Sequence, residues 1–498
     1  MRLWIYNGFD VLLPHEIHEA QTNLLAKDPQ KNQIYNYERT MQGMAFHMGF
    51  RGILTDPMEV ARHALRLESL VKRLDRYVQR LAFAVWHKGL NVNSPDQMKR
   101  FFYEVPSNVL KDKDNDGWGL KPIYSGKGND RKITCDRKAL EKIAKNNYYI
   151  RPVISAILAC KDVTKKLQFL RRGIDNDQRF RCTFNVTGTS TGRWSSSTNP
   201  FRTGSNFQNL TDELRTIFLP DPGFIFGYPD LEQAESRGVA YLSGDEAYIL
   251  ACESGDLHTT VARMLWPNDV PWTGDNTKDK ALAEKPYYRH FSRRDMAKRG
   301  GHASNYLGGP WTLARNLEIE QQVAVEFQDL YFGIFSGIPR WHANLIQELQ
   351  SNGCLTSPLG RKRTFFERLD SEETHKKAVA SVPQGLISDI VKIGAYRIWQ
   401  KYEIHGDSTL AQVLADMHDG IVLQVKHSQY TELVPDLIQL MTIPVQVKGR
   451  SMTIPVDFTL GFRWSKFDPS AKMTHWKSDK IPLLSRPDSL EGFLAQEI

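Results

Sequence analysis

Apolar residues recur at three- and four-residue steps from Val60 to Trp86 (Leu65, Leu67, Leu70, Val71, Leu74, Val78, Leu81), with Arg and Lys between them. That period predicts an amphipathic helix. Ser94-Pro95-Asp96-Gln97 ahead of Met98 predicts a helix start, with Ser94 as cap and Pro95 in the first turn. Arg137 to Leu170 reads as further basic helix, so the chain to about residue 175 is expected to be mainly helical.

From Arg181 to Asn209 the pattern changes. Ser, Thr, Gly and Asn replace the apolar period and predict a long ordered loop surface. Asp221-Pro-Gly is a turn signal, and Phe224-Ile-Phe-Gly-Tyr228 a buried strand ending at Pro229-Asp230. Helices are expected again from Glu232 to Gly353. Val413-Leu-Ala-Asp-Met417 and Ile421-Val-Leu-Gln-Val425 flank His418-Asp419-Gly420, and Asp-Gly between two β-rich runs predicts a hairpin. There is no internal repeat and no low-complexity tract. Asp112-Lys-Asp114-Asn-Asp116-Gly117 imitates the start of a calcium loop, but Ile123 stands where a bidentate Glu is required, so a solvated loop is expected.

Composition adds little to the pattern. Apolar residues at 41% and charged residues at 24% suit a soluble globular protein with a sizeable core. A net charge of +8 favours a polyanionic partner, because neutralising phosphates releases counterions. The five cysteines (Cys135, Cys160, Cys182, Cys252, Cys354) form no CxxC pair, which suits reduced thiols and disfavours a structural zinc site. Met1-Arg-Leu-Trp-Ile-Tyr6 lacks a signal-peptide pattern, and no apolar run approaches membrane-spanning length. The expected location is intracellular.

The candidate chemistry lies in three segments. Asp230 and Asp419 each stand where a predicted strand ends, almost two hundred residues apart. Between them, Arg294, Lys298, His302 and Tyr306 recur every four residues and share one helix face. Alone, Asp230 reads as a helix cap, Asp419 as a turn residue and the basic run as a solvated face. Together, carboxylate, cationic helix and carboxylate are the parts of a nucleotidyl transferase: two carboxylates for a pair of divalent metals, cations for a triphosphate. Gly300 and Gly301 inside the helix cost about 1 kcal/mol each relative to Ala and suggest close approach of a ligand or a bend.

These segments resemble the family A DNA polymerases, the group of bacterial DNA polymerase I and many phage replicases. Asp230-Leu-Glu-Gln-Ala-Glu235-Ser-Arg237 is similar to motif A, Arg294 through Tyr306 to motif B, and His418-Asp419-Gly420 to motif C. Thr191-Gly-Arg193-Trp-Ser-Ser196, Asn206-Phe-Gln208-Asn209, Gly255-Asp256-Leu-His258, Leu359-Gly-Arg361-Lys-Arg363 and Pro383-Gln384-Gly385 resemble further segments of the family pattern, in the same order, and Trp464 falls near its usual end. The likeness covers roughly residues 40 to 465.

The resemblance implies an α+β fold of right-hand form: an antiparallel palm sheet, helical fingers and a helical thumb. Its domains would be a remnant or linker resembling the end of an exonuclease domain (1–35), a helical region with the thumb (36–180), palm (181–250), fingers (251–358), palm again (359–464) and a tail (465–498). It implies two Mg²⁺ ions, with Mn²⁺ able to substitute, held by Asp230, Asp419 and the Leu231 carbonyl. Lys298 would share in catalysis. Arg294, Lys298, His302, Tyr306, Glu235 and Gln233 would bind the nucleotide, with Glu235 and Tyr306 excluding a ribose 2′-hydroxyl. Arg193, Gln208, Asn209, Gln384, His418 and Arg237 would contact primer–template DNA.

Three positions depart from the family pattern: His302 for an aromatic, Gly420 for the motif C Glu, and Pro229 before the first aspartate. Sugar discrimination and stacking are expected to differ at His302, and two metal carboxylates remain rather than three. Tyr6-Asn-Gly-Phe-Asp10 resembles the last motif of a 3′–5′ exonuclease, whose earlier motifs have no room here. The resemblance implies a monomeric polymerase unit, either a fragment of a split replicase or a natural exonuclease-lacking form, in the cytoplasm of a bacterial or infected host cell. Its expected partners are primer–template DNA and dNTPs, with a separate 3′–5′ exonuclease chain or other replisome protein as a further candidate and no membrane. A docking role is open to Leu490, Phe493 and Leu494 in the tail. A single-subunit RNA polymerase is the rival enzyme, which Glu235 opposes; a catalytically dead DNA-binding subunit is the rival binder, which the intact aspartates and cations oppose.

Overall fold

The computed structural model describes residues 2–103, 117–126, 131–464 and 474–477. The start of the calcium-like segment, Asp112 to Asp116, and the tail residues Leu490, Phe493 and Leu494 lie outside the described residues.

A five-stranded antiparallel sheet carries the expected palm. Its spatial order is Ala411–Asp416, Ile421–Lys426, Phe224–Leu231, Val456–Gly461, Thr474–Lys477. The central strand packs closely on both flanks. A Cβ on Gly227 would stand 2.7 Å from Leu423 and 2.8 Å from Phe458, so glycine there lets the neighbouring side chains meet over the backbone. The strand does not end at Pro229-Asp230, as the sequence suggests, but runs through both to Leu231. Proline is tolerated because the ladder to Ile421–Lys426 has already ended at Gly227↔Leu423.

Glu372–Trp399, a long helix buried on all sides from Ser381 to Trp399 save Gln384, packs with this sheet into the main core. The stretch expected to be helical from Glu232 to Gly353 is helical between Ala234 and Asn352, interrupted by one small hairpin, Pro286–Tyr288 with Phe291–Ser292. The basic stretch forms a helix over Arg293–Asn305, started by a capping box between Ser292 and Asp295. Its glycines serve packing rather than ligand approach. A Cβ on Gly300 would meet the Phe327 ring at 2.4 Å, and one on Gly301 the Tyr331 ring at 3.2 Å.

The N-terminal half follows the apolar period, with local corrections. The helix from the Val60–Trp86 pattern spans Pro57–Trp86, and Ser94 caps Pro95–Phe102 through the Gln97 amide. The stretch from Arg137 to Leu170 is not one helix. It breaks at Asn147 into Arg137–Asn146 and Arg151–Arg172, where Asn147 bonds back to the Ile143 carbonyl and Pro152 opens the second helix. These helices enclose a second core around Trp86, Phe101, Phe102, Leu140 and Ile157.

The segment expected as a loop surface, Arg181 to Asn209, instead folds a short hairpin (Thr183–Asn185 with Ser195–Ser197) and buries Trp194 and Phe207. Its polar residues satisfy that buried backbone: the Ser196 hydroxyl alone accepts from the amides of Phe207 and Gln208. The boundary expected at residue 35 falls inside the helix Pro29–Arg51, which buries Tyr37, Met41, Met44 and Met48 in the main core. Among the described residues, no helix is long and apolar enough to cross a membrane.

Candidate active site

Asp230 and Asp419 meet at one end of the sheet. Asp419 sits in the turn between Ala411–Asp416 and Ile421–Lys426, where Met417 donates to the Gly420 carbonyl at 2.9 Å and His418 takes a positive φ of 73°. The turn is fastened to the central strand: Leu231 N–H donates to the Asp419 carbonyl at 2.9 Å, and Asp230 bridges to Gly420. Gly420 is needed for this approach. A Cβ there would lie 2.4 Å from the Pro229 carbonyl oxygen and 3.2 Å from the Asp230 carboxylate.

Asp419 and Glu235 lean on one guanidinium. Arg193 Nη2 stands 2.6 Å from Glu235 Oε1 and 3.2 Å from Asp419 Oδ1. Burial pushes the Asp419 carboxyl up, the nearby Glu235 charge pushes the same way, and Arg193 opposes both. Asp419 keeps 45% of its side chain exposed, so it is open to a ligand. This donor set fits divalent cations of the hard type: two carboxylates with partial access, one already drawing a cationic side chain. Among the described residues no group of three or more His, Cys, Asp or Glu side chains converges as a ready metal cage.

The Arg293–Asn305 helix closes the other side. Tyr306, its C-cap, donates its hydroxyl to Glu235 Oε2 at 3.0 Å, and His302 Nδ1 lies 3.9 Å from the same oxygen. Burial, then the Glu235 charge, raises the Tyr306 phenol far above its ordinary range, so it stays protonated and keeps the proton it donates to Glu235. Lys298 and His302 are exposed. Arg294 is partly turned inward, with Nη2 3.2 Å from Asp256 Oδ1 and Nε 3.3 Å from the Thr259 hydroxyl. His258 lies beneath them, and burial followed by the charges of Arg294 and Lys298 lowers it to about 4. It is therefore neutral at neutral pH.

Other candidates take different places. Gln233 has a positive φ of 54° at the cap of the helix Ala234–Ser243, which carries Glu235 in its first turn. Arg237, expected on primer–template DNA, is only 3% exposed and bonds Glu253 at 2.7 Å; burial in the helix face removes it from the surface set. Gln208 is also buried. Its amide donates to Asp416 Oδ2 at 2.7 Å and to the Trp194 carbonyl at 3.3 Å, so it supports the turn rather than facing a groove. Asn209 is exposed, and Gln384 and His418 are half-buried. Burial holds the His418 imidazole below its ordinary range.

Asp416 was not foreseen. It is buried one turn residue away from His418, and its one sequence signal is an acid inside the otherwise apolar run Val413 to Met417. An open space of about 420 Å³ also lies between Lys165, Lys166, Arg172 and Asn209 on its polar side and Phe169 and Leu210 on its apolar side.

The fold is that of a polymerase domain. It matches the solved POL domain of Pol1 from M. smegmatis, in complex with DNA primer-template and dNTP, with a TM-score of 0.64, 24% identity, and coverage of 86% of this chain and 70% of that one. The sequence pattern of DNA polymerase family A matches residues 62–466, and the chain belongs to that family. DNA polymerase I of Caldicellulosiruptor bescii is 22% identical over 81% of this chain and 44% of its own length. The thermostable DNA polymerase I of Thermus filiformis is 26% identical over 82% of this chain and 46% of its own length. The chain thus spans less than half the length of these two relatives.

Proposed function

We propose that the chain is a DNA-directed DNA polymerase, adding deoxynucleotides to a primer 3′ end by two-metal nucleotidyl transfer. The observation that carries this reading is the unbroken polar chain Tyr306–Glu235–Arg193–Asp419, which joins the cationic helix to the carboxylate pair. Primer–template DNA and dNTPs are the ligands of the M. smegmatis domain, and they are proposed for this chain as well.

Each side chain then has a task. Arg294 and Lys298 grip the triphosphate, as cations on one helix face can. Glu235, held between Arg193 and Tyr306, stands where a ribose 2′-hydroxyl would crowd it, which selects deoxynucleotides. Gln233 shapes the start of the Glu235 helix. His302 lines the nucleotide side, and His418, Arg193, Asn209 and Gln384 face the primer terminus. Gln208 and Asp416 hold the Asp419 turn in place. Asp230, Asp419 and the Leu231 carbonyl would hold two Mg²⁺ ions, which when bound would supply Lewis acidity for attack by a 3′-hydroxyl and for departure of pyrophosphate.

The test is extension of a labelled primer on a defined template with and without Mg²⁺. Template-directed dNTP addition that requires the metal supports the reading. No extension with either Mg²⁺ or Mn²⁺ overturns it.

A further inference from the structure

Arg193 is the hub of the proposed site, and a buried ionic cluster holds its two neighbours in the chain. Lys392, 2% exposed on the Glu372–Trp399 helix, donates from Nζ to the Gly192 carbonyl at 2.5 Å. The same ammonium lies 5.6 Å from the centre of the Trp194 ring. One cation therefore touches the residue before Arg193 and the residue after it. The Ser388 hydroxyl gives the Gly192 carbonyl a second donor at 3.1 Å.

The ammonium is neutralised from elsewhere in the chain. Glu38, on the helix Pro29–Arg51, accepts from Lys392 at 3.2 and 3.4 Å and from Arg361 Nη2 at 2.6 Å. Arg361 completes the set on Asp389, with contacts from 2.6 to 3.0 Å. Two acids and two bases balance, as burial of charge requires. Gly192 has φ +87°, and a Cβ on it would lie 2.7 Å from Arg361 Nε, so the peptide before Arg193 is pressed against the cluster. Glu38 lies before the span matched by the family, residues 62–466.

We propose that Lys392 is a positioning residue for Arg193, with Glu38 as the acid that keeps its charge buried; this rests on the polymerase reading above. Lys392 fixes the carbonyl and the ring on either side of Arg193, and so sets the backbone from which the guanidinium reaches Glu235 and Asp419. The helix Pro29–Arg51 is by this account part of the catalytic apparatus and not only of the core.

The test is a double-mutant cycle of Lys392→Met with Arg193→Ala, read as kcat/KM for a correct dNTP, with thermal unfolding followed in parallel. Lys392→Met alone should lower kcat/KM about tenfold or more, mostly in kcat, and Lys392→Arg should recover part of it. In the Arg193→Ala background the same change should cost no more than about twofold, because its target is gone. Lys392→Met leaves Glu38 and Asp389 to share the Arg361 charge alone, so the Glu38→Gln/Lys392→Met pair, which removes one charge of each sign, is to show the same loss and the same lack of additivity in a folded protein. Losses that multiply with Arg193→Ala, or a charge-deleted pair as active as wild type, overturn the proposal. Hydrogen exchange of residues 189–194 reads it without catalysis: exchange should rise in the charge-deleted pair, and unchanged exchange counts against it. A wild-type chain that does not extend primers would defeat the polymerase reading, while this exchange readout would still decide whether Lys392 orders the segment.

Discussion

The Tyr306 hydroxyl donates to the Glu235 carboxylate across 3.0 Å, which ties the end of the Arg293–Asn305 helix to the first turn of Ala234–Ser243. Glu235 is also 2.6 Å from Arg193, so the carboxylate is fixed from two sides. A fixed carboxylate at a sugar excludes by crowding. Glu235→Ala is expected to raise incorporation of ribonucleotides relative to deoxynucleotides by about tenfold or more, near 1.4 kcal/mol. Competing rNTP and dNTP incorporation measures it, and unchanged selectivity would take Glu235 out of the gate.

Gly420 stands where the family pattern has Glu. Its backbone is within reach of the Pro229 carbonyl oxygen, 2.4 Å from any added Cβ. Gly420→Glu is therefore expected to destabilise the turn by roughly 1–3 kcal/mol through overpacking and to lower extension, not to add a useful third carboxylate. Urea unfolding and primer extension check both parts. A Gly420→Glu chain faster than wild type would show that the position is open.

Gly300 offers a contrast between local preference and packing. Alanine in mid-helix gains up to about 1 kcal/mol over glycine, yet its methyl would press on the buried Phe327 ring, itself stacked on Tyr331. Gly300→Ala is expected to be destabilising by roughly 1–2 kcal/mol net. A raised denaturation midpoint would mean that the helix and Phe327 part without cost.

His258 ties stability to pH. Its imidazole is lowered from 6.5 to about 4, first by burial and then by Arg294 and Lys298, with Asp256 opposing and His302 adding to the lowering. Between about pH 4 and 6.5 the unfolded chain takes up a proton that the folded chain refuses. Stability from this group is therefore complete above pH 6.5 and falls as pH falls through that window. His258→Gln should flatten that part of the stability–pH curve, measured by denaturant unfolding from pH 4.5 to 7.5. An unchanged slope would assign the acid loss to other groups.

Much of the fold and site was legible because it rests on local rules. The apolar period of Val60–Trp86, the Ser94 cap and the Asp419 hairpin each follow from residues close in sequence. What the sequence hid depends on distant partners. Nothing near Gly300 announces Phe327, and nothing near Glu38 announces Lys392. The polar run from Arg181 to Asn209 misleads for the same reason: its Ser and Asn groups are spent on buried backbone, and Gln208 is spent on Asp416. Arg237 resembles a surface cation until Glu253 and burial claim it.

The most direct measurement is single-turnover primer extension by Asp230→Asn and Asp419→Asn, with primer–template binding followed by fluorescence anisotropy. Each variant should lose at least about 10³-fold in rate, the pair together little more, and binding should stay within a few-fold of wild type. Extension near the wild-type rate by either variant would contradict the shared carboxylate centre.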